Sequence, residues 1–310
     1  MVREGVRKEQ GLLILSLILL LAASFCHLYT KRSTGWLPVI THPYRDYALP
    51  LAALGAVALA LGLYLGLRRE EIPHPSSGFS NLAFFIVMAL IMKVAAEVMH
   101  EVGGHGLYVL LFGGRILRVR ISLLWPLRTS YIWWDLPDLA PWQRGLIIGG
   151  GILNCLLISF ALQLLLLLRP QPWRLGTLLL WFAYWNYISS AGYLLSGGYG
   201  AFGDVADLIK MGILTPLSSL LLGLLVSIAG YLLLSINLRR LLMPLVSADR
   251  LGHAVAAFWL TTALVVVLMI LNPQVRAPVT LIPLGFIPTL LWLLLETLWG
   301  KRNESPSIFT

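Results

Sequence analysis

The sequence predicts an all-α polytopic membrane protein of about eight transmembrane helices with one small β-hairpin or re-entrant segment. Three observations predict it. Of the 310 residues, 58% are hydrophobic and 12% charged, about half the charged share of a soluble domain. Apolar runs of about 20 residues, enough to cross a bilayer, recur along the whole chain. One stretch breaks the helical pattern: after Gly113-Gly114, the run Arg115–Ser122 alternates polar and apolar residues, the period of a strand.

Taken in order, spans are expected near 11–30, 48–67, 81–112, 143–168, 175–197, 216–238, 255–271 and 279–299. The charged start, Met1 to Gln10, runs into an apolar segment without a convincing cleavage site, so an uncleaved first helix is expected. Residues 31–47 form a polar loop with aromatics suited to the membrane interface, and 68–80 form a charged, Pro/Ser-rich linker. The chain is then organised as an N-terminal two-helix segment and linker (1–80), a core holding all that looks chemical (81–210), and C-terminal transmembrane helices (211–310). Gly113-Gly114 ends the third span. Thr129–Trp134, β-branched and aromatic, supplies a partner for the strand at 115–122, with a break at Trp125-Pro126. The pattern fits either a hairpin re-entering the membrane or an interfacial loop.

The net charge of +9 fits Lys and Arg at anionic lipid headgroups. Membrane lipid is thus an expected partner, and nucleic acid is not, because no basic stripe lies on a soluble surface. With the N-terminus inside, 12 Lys/Arg fall on its side and 10 on the other, with Lys93 within a span. The positive-inside rule therefore tips the expectation toward a cytoplasmic N-terminus, in a multi-pass protein expected in the cell membrane. Cys26 and Cys155 lie in apolar runs and read as small buried hydrophobes.

The third span carries His100-Glu101-Val102-Gly103-Gly104-His105 where Leu or Val is usual. Ionisable groups at this depth cost about 2.5–3.5 kcal/mol each and mark function by default. In H-E-x-x-H, two His on one helix face bind zinc and the Glu is a general base. Here the spacing is H-E-x-x-x-H, one residue longer. In an ideal α-helix His100 and His105 are about 140° apart. A π-bulge at Val102–Gly104, where the glycines make the backbone permissive, would bring them together. Otherwise the two His pair with helix carbonyls or with Glu97. Lys93 and Glu97, one turn apart, are spaced for an ion pair. A catalytic zinc takes three protein ligands. The acids placed to supply the third are Asp135, Asp138, Asp204 and Asp207. Asp204 follows the glycine-rich run Ser196–Gly203, which reads as a flexible turn; Asp204 also reads as the N-cap of a short helix over Val205–Met211.

Three separated segments together resemble the site-2 protease family of intramembrane zinc metalloproteases. His100–His105, then Leu111-Phe112-Gly113-Gly114 and the strand-like 115–126, look like that family's metal helix and β-hairpin. Pro141–Gly145 and Gly149-Gly150-Gly151-Ile152-Leu153-Asn154 look like its second core helix. Asn186, and Phe202-Gly203-Asp204, look like its third element. The resemblance covers about residues 81–210. It implies that His100, His105 and Asp204 are zinc ligands, that Glu101 is the base, and that Asn154 and Asn186 hold the substrate backbone or support the site. The activity implied is hydrolysis of a peptide bond in a transmembrane or membrane-proximal substrate, with the hairpin binding the extended segment by strand addition. Two other classes stay open: a metal-binding membrane protein without proteolysis, and a transporter with a polar path past Lys93, His100 and Glu101.

Overall fold

The computed structural model describes residues 15, 78–122, 129–136, 138–200, 203–246, 248–270 and 288–292. The chain divides into two compact units, Met1–Ile72 and Pro73–Thr310, and all the elements below belong to the second. The spans expected near 11–30, 48–67 and 279–299 lie wholly or mostly outside the described residues.

Within the second unit the order is α1 (Gly78–Val98), a π-helical segment (Met99–Gly106), α2 (Leu107–Leu111), β1 (Arg115–Arg120), β2 (Tyr131–Asp135), α3 (Pro141–Leu168), α4 (Trp173–Gly200), α5 (Gly203–Lys210), α6 (Pro216–Leu242) and α7 (Ala248–Ile270). The described part is mainly helical, with one two-stranded sheet. Among the described residues, three helices are long and apolar enough to cross a membrane: Asn81–Leu111, Pro141–Leu168 and Pro216–Leu242. Their outer faces carry stripes of exposed leucine and isoleucine: Leu82, Ile86 and Leu90 on α1, and Leu217, Leu221 and Leu225 on α6. Apolar stripes of that length are what lipid, not water, accommodates.

Local chemistry sets the element ends. Pro141 opens α3, with the N–H of Ala140 donating to Gln143 Oε1 at 3.0 Å. Thr215 caps α6, its hydroxyl accepting from the N–H of Ser218 at 3.0 Å, with Pro216 in the first position. Gly113, at φ +79°, turns the chain out of α2. The Gly113 N–H then donates to Leu110 O at 3.0 Å and the Gly114 N–H to Val109 O at 2.8 Å, the paired bonds of a Schellman ending.

The expected hairpin is present as an antiparallel pair, Arg115 opposite Asp135 through Arg120 opposite Tyr131, with an irregularity between Ile116 and Arg118. It folds back along the π segment and the end of α1. The Cδ1 atoms of Ile116 and Ile132 both press on Gly106, and deeper along the pair Ser130 meets Glu97. The pair is thus packed against the helix that carries the two histidines.

α4 is the central helix and packs against α1, α3 and α6. Small residues let its backbone approach α6: a Cβ on Gly223 would lie 2.9 Å from Leu195 N, and one on Gly198 2.9 Å from Leu220 N. Around its first half Trp181, Tyr184, Phe258 and Trp259 form a buried aromatic cluster. The Trp185 indole donates to Ala89 O at 2.7 Å and joins α4 to α1.

One sequence expectation is corrected here. Ser196–Gly200, expected as a flexible turn, is the last part of α4. The glycines serve packing: Gly197 faces Val205, and Gly198 faces the first turn of α6. A contact that only glycine can make holds the segment helical despite its low propensity.

Candidate metal centre

The π-helical segment creates the site. Its i→i+5 bonds, such as the Leu107 N–H to Val102 O, widen the turn so that residues five apart share a face. His100 and His105 therefore meet, with Nε2 atoms 3.3 Å apart and ring planes at 84°. Both are buried, as is Glu101. The π segment spans Met99–Gly106, wider than the local bulge expected at Val102–Gly104.

Asp204 completes the group. Gly203, at φ +63°, turns the chain into α5, and Asp204 Oδ2 lies 3.2 Å from His100 Nε2 and 3.5 Å from His105 Nε2. Of the four candidate acids only this one joins the histidines. Asp135 is exposed in β2 opposite Arg115, Asp207 pairs with Lys210 on the surface at 2.8 Å, and Asp138 adopts φ +58° in the connection to α3. Burial opposes the charge on Asp204, but His105 and His100 beside it outweigh burial and hold its carboxyl well below the usual carboxylate range.

His100, His105 and Asp204 can hold a metal ion, and their geometry fits one. A tetrahedral ion with bonds of about 2.0–2.1 Å has ligand atoms about 3.3–3.4 Å apart. The three separations here are 3.2, 3.3 and 3.5 Å. The tautomers fit as well. His105 Nδ1 lies 2.6 Å from Ile147 O; a carbonyl only accepts, so Nδ1 carries the proton and Nε2 keeps its lone pair for the ion. His100 Nδ1 turns to Cys155 Sγ at 3.9 Å, and Tyr193 stacks flat on the His100 ring, centroids 5.4 Å apart. The Tyr193 ring edge also fills the space beside Gly203, so one side chain steadies His100 and the turn leading to Asp204.

Glycine makes room for this convergence. A Cβ on Gly151 would lie 2.7 Å from Nε2 of both histidines, and one on Gly104 would collide with the Gly151 backbone. Gly150 and Gly151 thus let α3 touch the π segment backbone to backbone.

The two asparagines differ. Asn154 sits at the site's edge: its Nδ2 donates to Gly103 O at 2.6 Å and its Oδ1 accepts from the Tyr108 hydroxyl at 3.3 Å. Asn186 is fully buried in α4 and donates to Phe182 O of its own helix at 2.8 Å; among the described residues its Oδ1 has no hydrogen-bond partner. Lys93 and Glu97 form the expected ion pair, and Glu97 also accepts from the Ser130 hydroxyl. Sequence reasoning missed Ile147, Cys155, Tyr193 and Ser130. Only Cys155, next to Asn154 in the chain, carried any local signal.

The centre lies toward one end of the bundle. Ile147 is in the second turn of α3, and Asp204 follows the end of α4. The described parts of the connections after α2 and before α6 (112–122, 129–136 and 211–215) are therefore nearest to it, and the turns at 169–172 and 243–246 lie at the opposite ends of the same helices. Comparison with protein-family models, curated proteins and solved structures finds no match to this chain.

Proposed function

We propose that this chain is a zinc-dependent intramembrane protease of the site-2 protease type, cutting a peptide bond within or beside the membrane. The observation that carries the reading is the triangle of His100 Nε2, His105 Nε2 and Asp204 Oδ2, 3.2–3.5 Å on a side, with the buried carboxylate of Glu101 next to His100. Two imidazoles and one carboxylate are the ligand chemistry of catalytic zinc sites, which keep a fourth position for water. Bound there, zinc would lower the pKa of that water to about 7 and polarise the scissile carbonyl.

The chain's own residues supply the rest. Glu101 accepts the water proton and passes it to the leaving amine. His105 stays in one tautomer through Ile147 O. A substrate helix must unwind first, since helical amides are already paired. The hairpin that folds along the metal helix offers strand edges to the extended segment. A multi-pass protein of the cell membrane, acting on a membrane-protein or peptide substrate, is the setting this chemistry requires.

The test uses purified protein in lipid with a synthetic transmembrane peptide. Wild type should carry about one zinc per chain and cleave the peptide. Glu101→Gln should keep its zinc and lose cleavage, and His105→Ala should lose both. Zinc without cleavage in wild type would favour the non-proteolytic metal protein. No metal at all would favour the transporter.

A further inference from the structure

We propose that Asn154 is a positioning residue: its side-chain amide locks the metal helix in the π register that brings His105 to His100. The proposal rests on the metal-centre reading for its consequence, while its geometry stands apart from it. Where a helix returns from i→i+5 to i→i+4 bonding, one carbonyl is passed over. The Leu107 N–H donates to Val102 O, and α-helix resumes at Leu107, so the carbonyl at the changeover is that of Gly103. That is the atom Asn154 Nδ2 reaches, at 2.6 Å. Gly103 is half-buried, and a carbonyl shielded from water without a donor is costly, so donating to this one favours the π register over an unbroken α-helix.

The amide cannot be turned round. Gly103 O only accepts, so nitrogen must face it, and the Tyr108 hydroxyl donates to the oxygen at 3.3 Å. Tyr108 is one turn beyond Gly104, so the metal helix orients the side chain that clamps it. Both ends of the amide are engaged by the protein, which ties Asn154 to the helix. Gly150 supports the arrangement, since a Cβ there would strike the Tyr108 ring and come within 3.1 Å of Gly104 O.

The experiment is hydrogen–deuterium exchange on the metal-free full-length protein in lipid, followed on peptides covering Met99–Tyr108, with cobalt affinity and cobalt absorption as the second readout. Asn154→Leu should speed exchange of this segment about tenfold and weaken cobalt by a similar factor, the worth of one well-placed hydrogen bond. Tyr108→Phe, which only frees the amide to rotate, should give about threefold. The same changes are then made in a chain lacking Gly103. There the spacing is H-E-x-x-H, the helix runs unbroken and no carbonyl is passed over, so Asn154→Leu should add nothing. If the deletion does not fold, Asn154→Asp decides: it keeps the size and the oxygen but lacks the donor, and must behave as Asn154→Leu does. Unchanged exchange in Asn154→Leu, or an equal loss with and without Gly103, overturns the proposal. A parent protein that binds no cobalt overturns the metal reading instead, and exchange still decides the role of Asn154.

Discussion

The helices around the centre are packed in two regions by opposite means. Around the first half of α4, large rings fill the space: Trp181 against Phe85 at 5.0 Å, Phe258 at 4.9 Å from Trp181, and Trp259 fully buried behind them. Around the centre, side chains are removed: Gly104 lies on Gly151, and Gly203 lies under Tyr193. Bulk gives contact area and stability. Its absence lets backbones meet, so that polar side chains from the π segment and α5 reach one point. Fold and site thus draw on different residues of the same helices, and substitutions should separate them.

The largest separation is expected at Gly151. A side chain there must displace both imidazoles. Gly151→Val should therefore weaken metal beyond the roughly 100-fold that follows loss of an outer-shell partner, while overpacking costs only about 1–3 kcal/mol of stability. Trp259→Ala should do the reverse, costing about 3–5 kcal/mol of stability while the folded fraction keeps its metal. Metal stoichiometry after gel filtration, beside a thermal melt, measures both. A Gly151→Val protein that melts as early as Trp259→Ala would break the comparison.

Next comes Lys93, between the two regions. Its ammonium pairs with Glu97 inside the bundle and lies 6.0 Å over the Trp185 ring. Lys93→Met leaves a buried carboxylate without its cation, a change of about 3–5 kcal/mol. Lys93→Met with Glu97→Gln removes both charges and should recover most of that. Unfolding in denaturant across the double-mutant cycle reads the difference, and a double variant whose loss equals the sum of the two single losses would mean that the pair is not coupled.

How much of this was legible in the sequence follows from the range of each interaction. His100, Glu101, His105 and the extra residue between the histidines are local, and so was the need for a π turn. The Gly113-Gly114 stop and the alternation at 115–120 are also local patterns, and they became a Schellman ending and a strand. The acid that joins the histidines is 99 residues beyond His105; sequence narrowed it to four, and only the turn at Gly203 selects Asp204. Ile147 O could not be read at all, because a backbone acceptor leaves no trace in residue type. The glycine run before Asp204 misled, since the same residue type serves turns and close helix packing, and tertiary contact decided for packing.

A smaller effect is expected at Ser130, where the hairpin is tied to the metal helix. Its hydroxyl donates to Glu97 and accepts from the Ser122 N–H at 3.1 Å. Ser130→Ala removes both bonds, but Glu97 keeps Lys93, so about 1.5 kcal/mol is at stake, the low end for a bond to a charged group. The loss should fall on the hairpin. Amide exchange over 115–122 and 129–135 should rise and peptide cleavage should fall a few-fold, while zinc content stays unchanged. Loss of zinc would show that the hairpin carries the metal helix and is not merely tied to it.

The smallest effect is expected within the aromatic region and sharpens the comparison from the other side. The Tyr184 hydroxyl bonds Thr261 Oγ1 at 2.7 Å and Thr262 Oγ1 at 3.1 Å, joining α4 to α7. Tyr184→Phe keeps the ring, with its contacts to Trp181, Phe258 and Trp259, and removes only these bonds. Thr261 is not left without a partner, since its hydroxyl also donates to Phe258 O at 2.6 Å. The cost should then be about 1 kcal/mol, the net worth of a buried hydrogen bond, seen as a shift in the unfolding midpoint with the slope unchanged. Metal content and cleavage should stay as in wild type, because no member of the centre touches Tyr184. If this variant lost metal while remaining folded, stability and site would be coupled through α4, and large rings and glycines could no longer be read as separate devices.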